Sequence, residues 1–304
     1  MHHIYGINLS LPERILNDLP YTKDKADIIV KSSTRKLYNQ NEVSWYHFWK
    51  EINMDNYLSL GKSNDQRYIL HFPFEKIDFA VSSDGSEISY YTKTKLGKTE
   101  LRHHFLNYVI PLVMNHRGIE ALHASSVLTQ KGAIAFTGKG GFGKSTIAAS
   151  LIQKGLTLLS DDVVPIFIQK KDILTVNGLP EMNLYPRARN LLNLKTKQSN
   201  HKQLTFLNSH QHTLGKFPLR KIFFLEPLED IPHAKIVAVN KKDALLRLIK
   251  IAHRLDITNK KMLENQFITL REVISKVTSK VLVYPKNTPD IDEVSSLVLS
   301  DIKN

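Results

Sequence analysis

The chain contains no cysteine. Disulfides, zinc–thiolate centres and thiol nucleophiles are thereby excluded. The absence fits a reducing compartment, so a cytoplasmic location is expected. Long apolar runs are missing too. The longest, residues 108–114 and 163–168, fall far short of the roughly 20 residues a membrane span needs. The opening MHHIYGINLSLPER lacks a basic start followed by an apolar stretch, so no secretion signal is expected. Acidic residues are outnumbered, 29 against 42 Lys and Arg, for a net charge of +13. The bases run from Lys23 to Lys303 and form no stripe interleaved with aromatics. A nucleic-acid partner would therefore rest on charge alone and ranks low. Compositional drift, with Lys, Asn and Ile all abundant, accounts for the charge more simply than an acidic or phosphorylated partner does.

What is present fits one large domain or two modest ones, with 304 residues, 42% of them hydrophobic. Residues 1–96 are predicted to form a small β-rich N-terminal domain for substrate or peptide recognition. Its strands include 26–30, 68–72 and 77–81, the last followed by the turn Ser82-Ser83-Asp84-Gly85. Residues 98–116 are predicted as a helix with Leu101, Phe105, Val109, Leu112 and Val113 on one face, kinked or ended by Pro111. This helix opens a second domain, 97–304. There, α/β patterning predicts strands at 121–128, 133–137, 156–159, 163–168, 173–176, 220–225 and 235–239. Helices are predicted at 144–153, capped by Gly155, and at 242–251 and 263–279. A strand at 280–284 and a closing helix at 289–302 complete the chain, the helix carrying Asp290, Asp292 and Glu293 in its first turn.

Between the strand GAIAFT and the apolar helix lies Gly138-Lys139-Gly140-Gly141-Phe142-Gly143-Lys144-Ser145-Thr146. Gly138-x-x-x-x-Gly143-Lys144-Ser145 is a complete Walker A pattern. Glycines let backbone N–H groups converge on phosphate oxygens, and the helix N-terminus adds positive potential. Lys144 is expected to reach the β- and γ-phosphates and Ser145 to offer a hydroxyl to Mg²⁺. Gly138, Gly140 and Gly143 also fit the dinucleotide pattern G-x-G-x-x-G, but Lys-Ser after the last glycine has no role in such a site. ATP, or another nucleoside triphosphate, with Mg²⁺ is the expected ligand.

The strand predicted at 156–159 runs into Asp161-Asp162. An aspartate there is placed to serve the metal, and a second could take a proton from an attacking hydroxyl. A turn that caps the next segment is the other reading. His123 lies on the strand before GAIAFT, where a histidine is more often a core residue than a catalytic one.

The stretch 120–170 resembles the catalytic domain of the HPr serine kinase/phosphorylase family. It is closer still to shorter HPr kinase-like relatives, among them kinases of lasso-peptide precursors. The pieces that carry the resemblance are LHASSV, GKGGFGKST and LIQKGLTLLSDDVVPI. The resemblance implies a P-loop-containing kinase core of the HPr kinase/PEP carboxykinase-like type. It implies Asp161 as the base on a substrate serine, with His123 and Lys144 beside it. It further implies Asp162 with Ser145, and Glu181, at the metal. The Glu-x-Arg-Gly signature of the HPr-specific enzymes is missing. Gly178-Leu179-Pro180-Glu181-Met182-Asn183-Leu184-Tyr185-Pro186 stands in its place, followed by Arg187 and Arg189, which could neutralise phosphate.

The expected activity is ATP- and Mg²⁺-dependent transfer of the γ-phosphoryl group to a serine or similar hydroxyl of a peptide or protein. A peptide natural-product precursor is one such acceptor. A small-molecule kinase acting on an amino-acid-like hydroxyl, and a P-loop ATPase or nucleotide sensor, remain as alternatives. The HPr enzymes form hexamers, so homo-oligomerisation belongs to the same expectation.

Overall fold

The computed structural model describes residues 1–12, 21–51, 54–93, 98–191, 203–206, 211–287 and 289–303. The chain is mixed α/β and divides into two compact units, one of 1–119 with 253–266, the other of 120–252 with 267–304.

The first unit is built on an eight-stranded sheet. Its strands are His2–Ile4 (β1), Ile7–Ser10 (β2), Ile28–Ser33 (β3), Val43–Glu51 (β4), Met54–Ser63 (β5), Tyr68–Phe72 (β6), Ile77–Val81 (β7) and Glu87–Thr92 (β8). They lie in the order β1-β2-β3-β8-β7-β6-β5-β4. The helix predicted over 98–116 follows as Lys98–His104 (α1) and Ile110–His116 (α2), joined by a π segment, Phe105–Val109. Pro111 explains the widened turn. It has no N–H to continue the α-ladder, and the Ile110 N–H instead reaches back five residues to the Phe105 carbonyl.

The sequence places the domain boundary before this helix, at 96/97; the structure places it after, at 119/120. Packing is the reason. Phe105 is fully buried and its ring lies 6.4 Å from that of Phe79, while His104 stacks on Phe72 at 3.9 Å. The helix thus buries its apolar face on the β-rich sheet.

The second unit contains Glu120–Leu122 (β9), Ala124–Thr129 (β10), Gly132–Thr137 (β11), Lys144–Gln153 (α3), Thr157–Ser160 (β12), Val164–Gln169 (β13) and Asp172–Val176 (β14). Glu181–Leu184 (β15), Pro186–Leu191 (α4), Gln203–Phe206 (β16), Lys216–Leu228 (β17), Lys235–Ala238 (β18) and Lys241–Ile251 (α5) follow. Lys260–Lys276 (α6), which begins in the first unit, then Thr278–Pro285 (β19) and Ile291–Lys303 (α7) end the chain. Strands run in the order β12-β10-β11-β17-β14-β13-β9, with β19 between β17 and β18. β11, β17 and β19 are parallel neighbours.

Alternation along the fully buried β11 sorts the core. Ala133 and Ala135 face a cluster with Ala244 and Leu248 of α5 and Leu270 and Val273 of α6. Ile134 and Phe136 face one with Ile147 and Leu151 of α3 and Val294 and Val298 of α7. Helices therefore cover both faces, as a sheet with a central parallel core requires. Gly155 closes α3 as predicted: with φ +96 it lets its own N–H bond Ile152 O and the Leu156 N–H bond Leu151 O, each at 3.0 Å. Asp290 caps α7 by accepting from the N–H groups of Asp292 and Glu293. Among the described residues, no helix is long and apolar enough to cross a membrane.

One predicted strand is broken. Residues 121–128 form two strands, with His123 between them: β9 pairs with β13, and β10 with β11 and β12. His123 is thus not on a strand. Its N–H bonds Ile251 O at 2.9 Å, off the ladder.

Candidate active site

β11 delivers the chain to the glycine loop, and α3 carries it away. Gly143, at φ +83, is the residue before the helix; this left-handed turn costs an L side chain about 1–2 kcal/mol, and only glycine adopts it freely. Gly138 is there for space, since a β-carbon would lie 3.2 Å from the Leu225 carbonyl oxygen. Lys144 and Ser145 then occupy the first positions of α3, where backbone N–H groups have no helical partner.

Lys144 is buried, and its Nζ donates to the carbonyls of Gly138 at 3.1 Å and Lys139 at 3.3 Å. The ammonium is thereby fixed against the loop rather than extended into solvent. Gly138 and Lys139 themselves do not line the adjoining cavity. Gly140, Gly141, Phe142, Gly143, Lys144, Ser145 and Thr146 do. The cavity holds about 780 Å³, within the range for a nucleotide-sized ligand. His123 and Asp162 form part of its wall, and Tyr185, Pro227, Tyr284 and Ile291 give it apolar surface.

The two aspartates are held differently. Asp161 Oδ1 accepts from Ser145 Oγ at 2.9 Å and from Ser125 Oγ at 2.5 Å, and Oδ2 accepts from the Asn183 N–H at 3.3 Å. Asp162 sits one residue on, at φ +64. The Val163 N–H bonds the Asp161 carbonyl at 2.8 Å across it, so Asp162 is the centre of a three-residue turn, a strained conformation. Ser160 Oγ locks that turn by donating to the Val163 carbonyl at 2.5 Å. His123 Nδ1 lies 3.1 Å from the Asp162 carbonyl oxygen. A carbonyl only accepts, so Nδ1 carries the hydrogen and donates.

The structure therefore brings together Ser145, Asp161, Asp162, His123 and Lys144, and Ser145 donates to Asp161. The tight turn at Asp162 separates the two residues: Asp161 reaches the foot of α3, and Asp162 is part of the cavity wall. Glu181 is buried at the start of β15 and is not part of the cavity wall. Arg189 is turned to Thr205, its NH1 donating to the hydroxyl. Of Arg187, only the backbone lies within the described residues. Among the described residues, no three His, Asp or Glu side chains cluster to hold a metal on their own. Sequence reasoning missed Ser125 as a partner of Asp161. It lies in the LHASSV segment, but a serine on a buried strand carries no signal of which carboxylate it will meet.

No protein-family profile matches the chain, and no curated protein matches it. Among solved structures, the chain is similar to the Hpr(Ser) kinase/phosphatase from Coxiella burnetii, with a TM-score of 0.33 and 12% identity, over 60% of this chain and 90% of that one. A likeness at that level is too loose to assign a fold or an activity.

Proposed function

We propose that the second unit is a phosphotransferase that moves the terminal phosphoryl group of ATP to a serine-type hydroxyl on a peptide or protein. The observation that carries this reading is the Ser145–Asp161 hydrogen bond at the foot of a glycine loop, with Asp162 and His123 in the wall of the cavity above it.

The donor set fits Mg²⁺. A hydroxyl and a carboxylate, 2.9 Å apart, are hard oxygen ligands of the kind that share magnesium with phosphate oxygens and water. Ser145 and Asp161 would hold the ion, which when bound would offset charge on the β- and γ-phosphates. Glu181, set apart from the cavity, is left out of this assignment. The roles implied by the family resemblance are thus exchanged between the aspartates.

The remaining work falls to the chain. N–H groups of 140–146 take phosphate oxygens, and the N-terminus of α3 adds positive potential. Lys144 leaves its loop carbonyls to meet the transferring phosphoryl group. Asp162 accepts the proton of the acceptor hydroxyl as its oxygen bonds to the γ-phosphorus and the bond to the β-phosphate oxygen breaks, releasing ADP. His123 fixes the Asp162 backbone by donating to its carbonyl. Such catalysis is mostly positioning and electrostatics.

Incubation with γ-labelled ATP and Mg²⁺ tests the reading with three acceptors: serine-containing peptides, free serine and water. Label on a peptide is the expected result. Label on free serine would move the acceptor to small molecules, and phosphate release alone would make the protein a hydrolase. No heat on titrating MgATP into the protein would remove the nucleotide site altogether.

A further inference from the structure

We infer that Tyr284 is a positioning residue for the glycine loop, holding the Phe142–Gly143 peptide plane so that the Gly143 N–H faces the bound anion. The inference rests on reading this loop as a triphosphate site, and it adds a residue from the opposite end of the unit's sequence.

Tyr284 lies near the end of β19, two strands along from the β11 strand that feeds the loop. Its side chain is buried, and its hydroxyl donates to the Phe142 carbonyl. A β-carbon built on Gly143 would lie 3.6 Å from that same hydroxyl oxygen. The phenol is therefore packed against the one peptide unit that joins Phe142 to Gly143.

The consequence follows from peptide geometry. Among the described residues no peptide bond is cis, and in a trans peptide the carbonyl and the N–H point in opposite directions. Fixing the Phe142 carbonyl on Tyr284 fixes the direction of the Gly143 N–H as well, and Gly143 lines the cavity. The preceding turn is held as well, by the Phe142 N–H on the Lys139 carbonyl at 3.2 Å. Glycine at φ +83 makes this plane easy to rotate. A rotated plane would aim a carbonyl oxygen at phosphate oxygens and remove one donor from the cradle. Tyr284 opposes that rotation. Burial raises the pKa of its phenol, which keeps it a donor throughout the neutral range.

Tyr284→Phe keeps the ring and removes the hydroxyl. The affinities of wild type and variant for MgATP, MgADP and magnesium tripolyphosphate are measured by calorimetry, alongside the melting temperature. The expected result is a loss of about fivefold for all three, the size of one hydrogen bond. KM for ATP should rise by the same factor, with kcat changed less than twofold. Equal binding of tripolyphosphate by both proteins overturns the inference and leaves the loop reading intact. A loss confined to ATP and ADP assigns Tyr284 to the nucleoside and also overturns it. A fall in affinity that vanishes when the proteins are compared at equal distance below their melting temperatures makes the role structural, and overturns it too. A wild type that binds none of the three overturns both.

Discussion

Ser145 Oγ donates to Asp161 Oδ1 at 2.9 Å, while the neighbouring Asp162 lines the cavity beside His123. Two adjacent carboxylates are thereby given two environments, and their substitutions should separate. Asp161→Asn is expected to weaken MgATP binding by at least tenfold, with less effect on metal-free ATP. Asp162→Asn should bind MgATP within about twofold of wild type and lose transfer by 10²-fold or more, the usual size of a general-base contribution. Calorimetry with and without Mg²⁺, with single-turnover transfer, checks both. The opposite pattern would return the base to Asp161.

Ser125 shares the carboxylate of Asp161 and is fully buried. Ser125→Ala removes one of the hydrogen bonds to that group, so a loss of about 1–2 kcal/mol in stability is expected. Because Ser145 and the Asn183 N–H still hold Asp161, MgATP should continue to bind, with the apparent Mg²⁺ requirement raised a few-fold. Thermal melts and a magnesium titration of transfer give the two numbers.

The backbone at Asp162 offers a test independent of catalysis. At φ +64, alanine carries the cost of a left-handed conformation that glycine escapes. Asp162→Ala should therefore melt lower than Asp162→Gly, by about 1 kcal/mol in stability, although both lack the carboxylate. If alanine proves as stable as glycine, the turn is not strained.

Asp301, near the end of α7, accepts from Lys221 of β17 at 2.6 Å and from Lys280 of β19. Burial pushes its carboxyl upward, but the two lysines outweigh burial and hold it below its ordinary 3.8. A lowered folded pKa gives stability that is complete above the unfolded value and is lost as pH falls through the folded one. Asp301→Asn should cost about 2 kcal/mol at pH 7, or a melting temperature roughly 4–8 °C lower. The gap between variant and wild type should narrow as pH falls below about 4. Urea melts from pH 7 to pH 3 would show it.

Local patterns made much of the second unit legible. The short strand GAIAFT before a glycine loop, and the Gly155 stop after α3, predicted the strand–loop–helix segment because each signal acts within one turn or strand. Relations set by tertiary register were not legible. The strand break at His123 arises because β9 and β10 pair with different partners. Which aspartate meets Ser145 depends on a turn whose φ no residue type announces. The boundary failed for the same reason: Phe105 marks an apolar helix face, but nothing in the spacing says which sheet it will cover. Tyr284 read only as the end of a strand, and its hydroxyl found the loop through the alignment of β11, β17 and β19.

The first unit takes 253–266 from within the second unit's stretch of sequence, ahead of β19. Within it, Asp256 is fully buried and accepts from the Tyr68 hydroxyl at 3.0 Å, and from the N–H and hydroxyl of Thr258. A nick or truncation near 119 would thus strand this excursion without Tyr68 and leave a desolvated carboxylate short of a donor. Neither half can be excised with a single scission, and a ribosome must finish well past residue 256 before the earliest strands acquire their last partner.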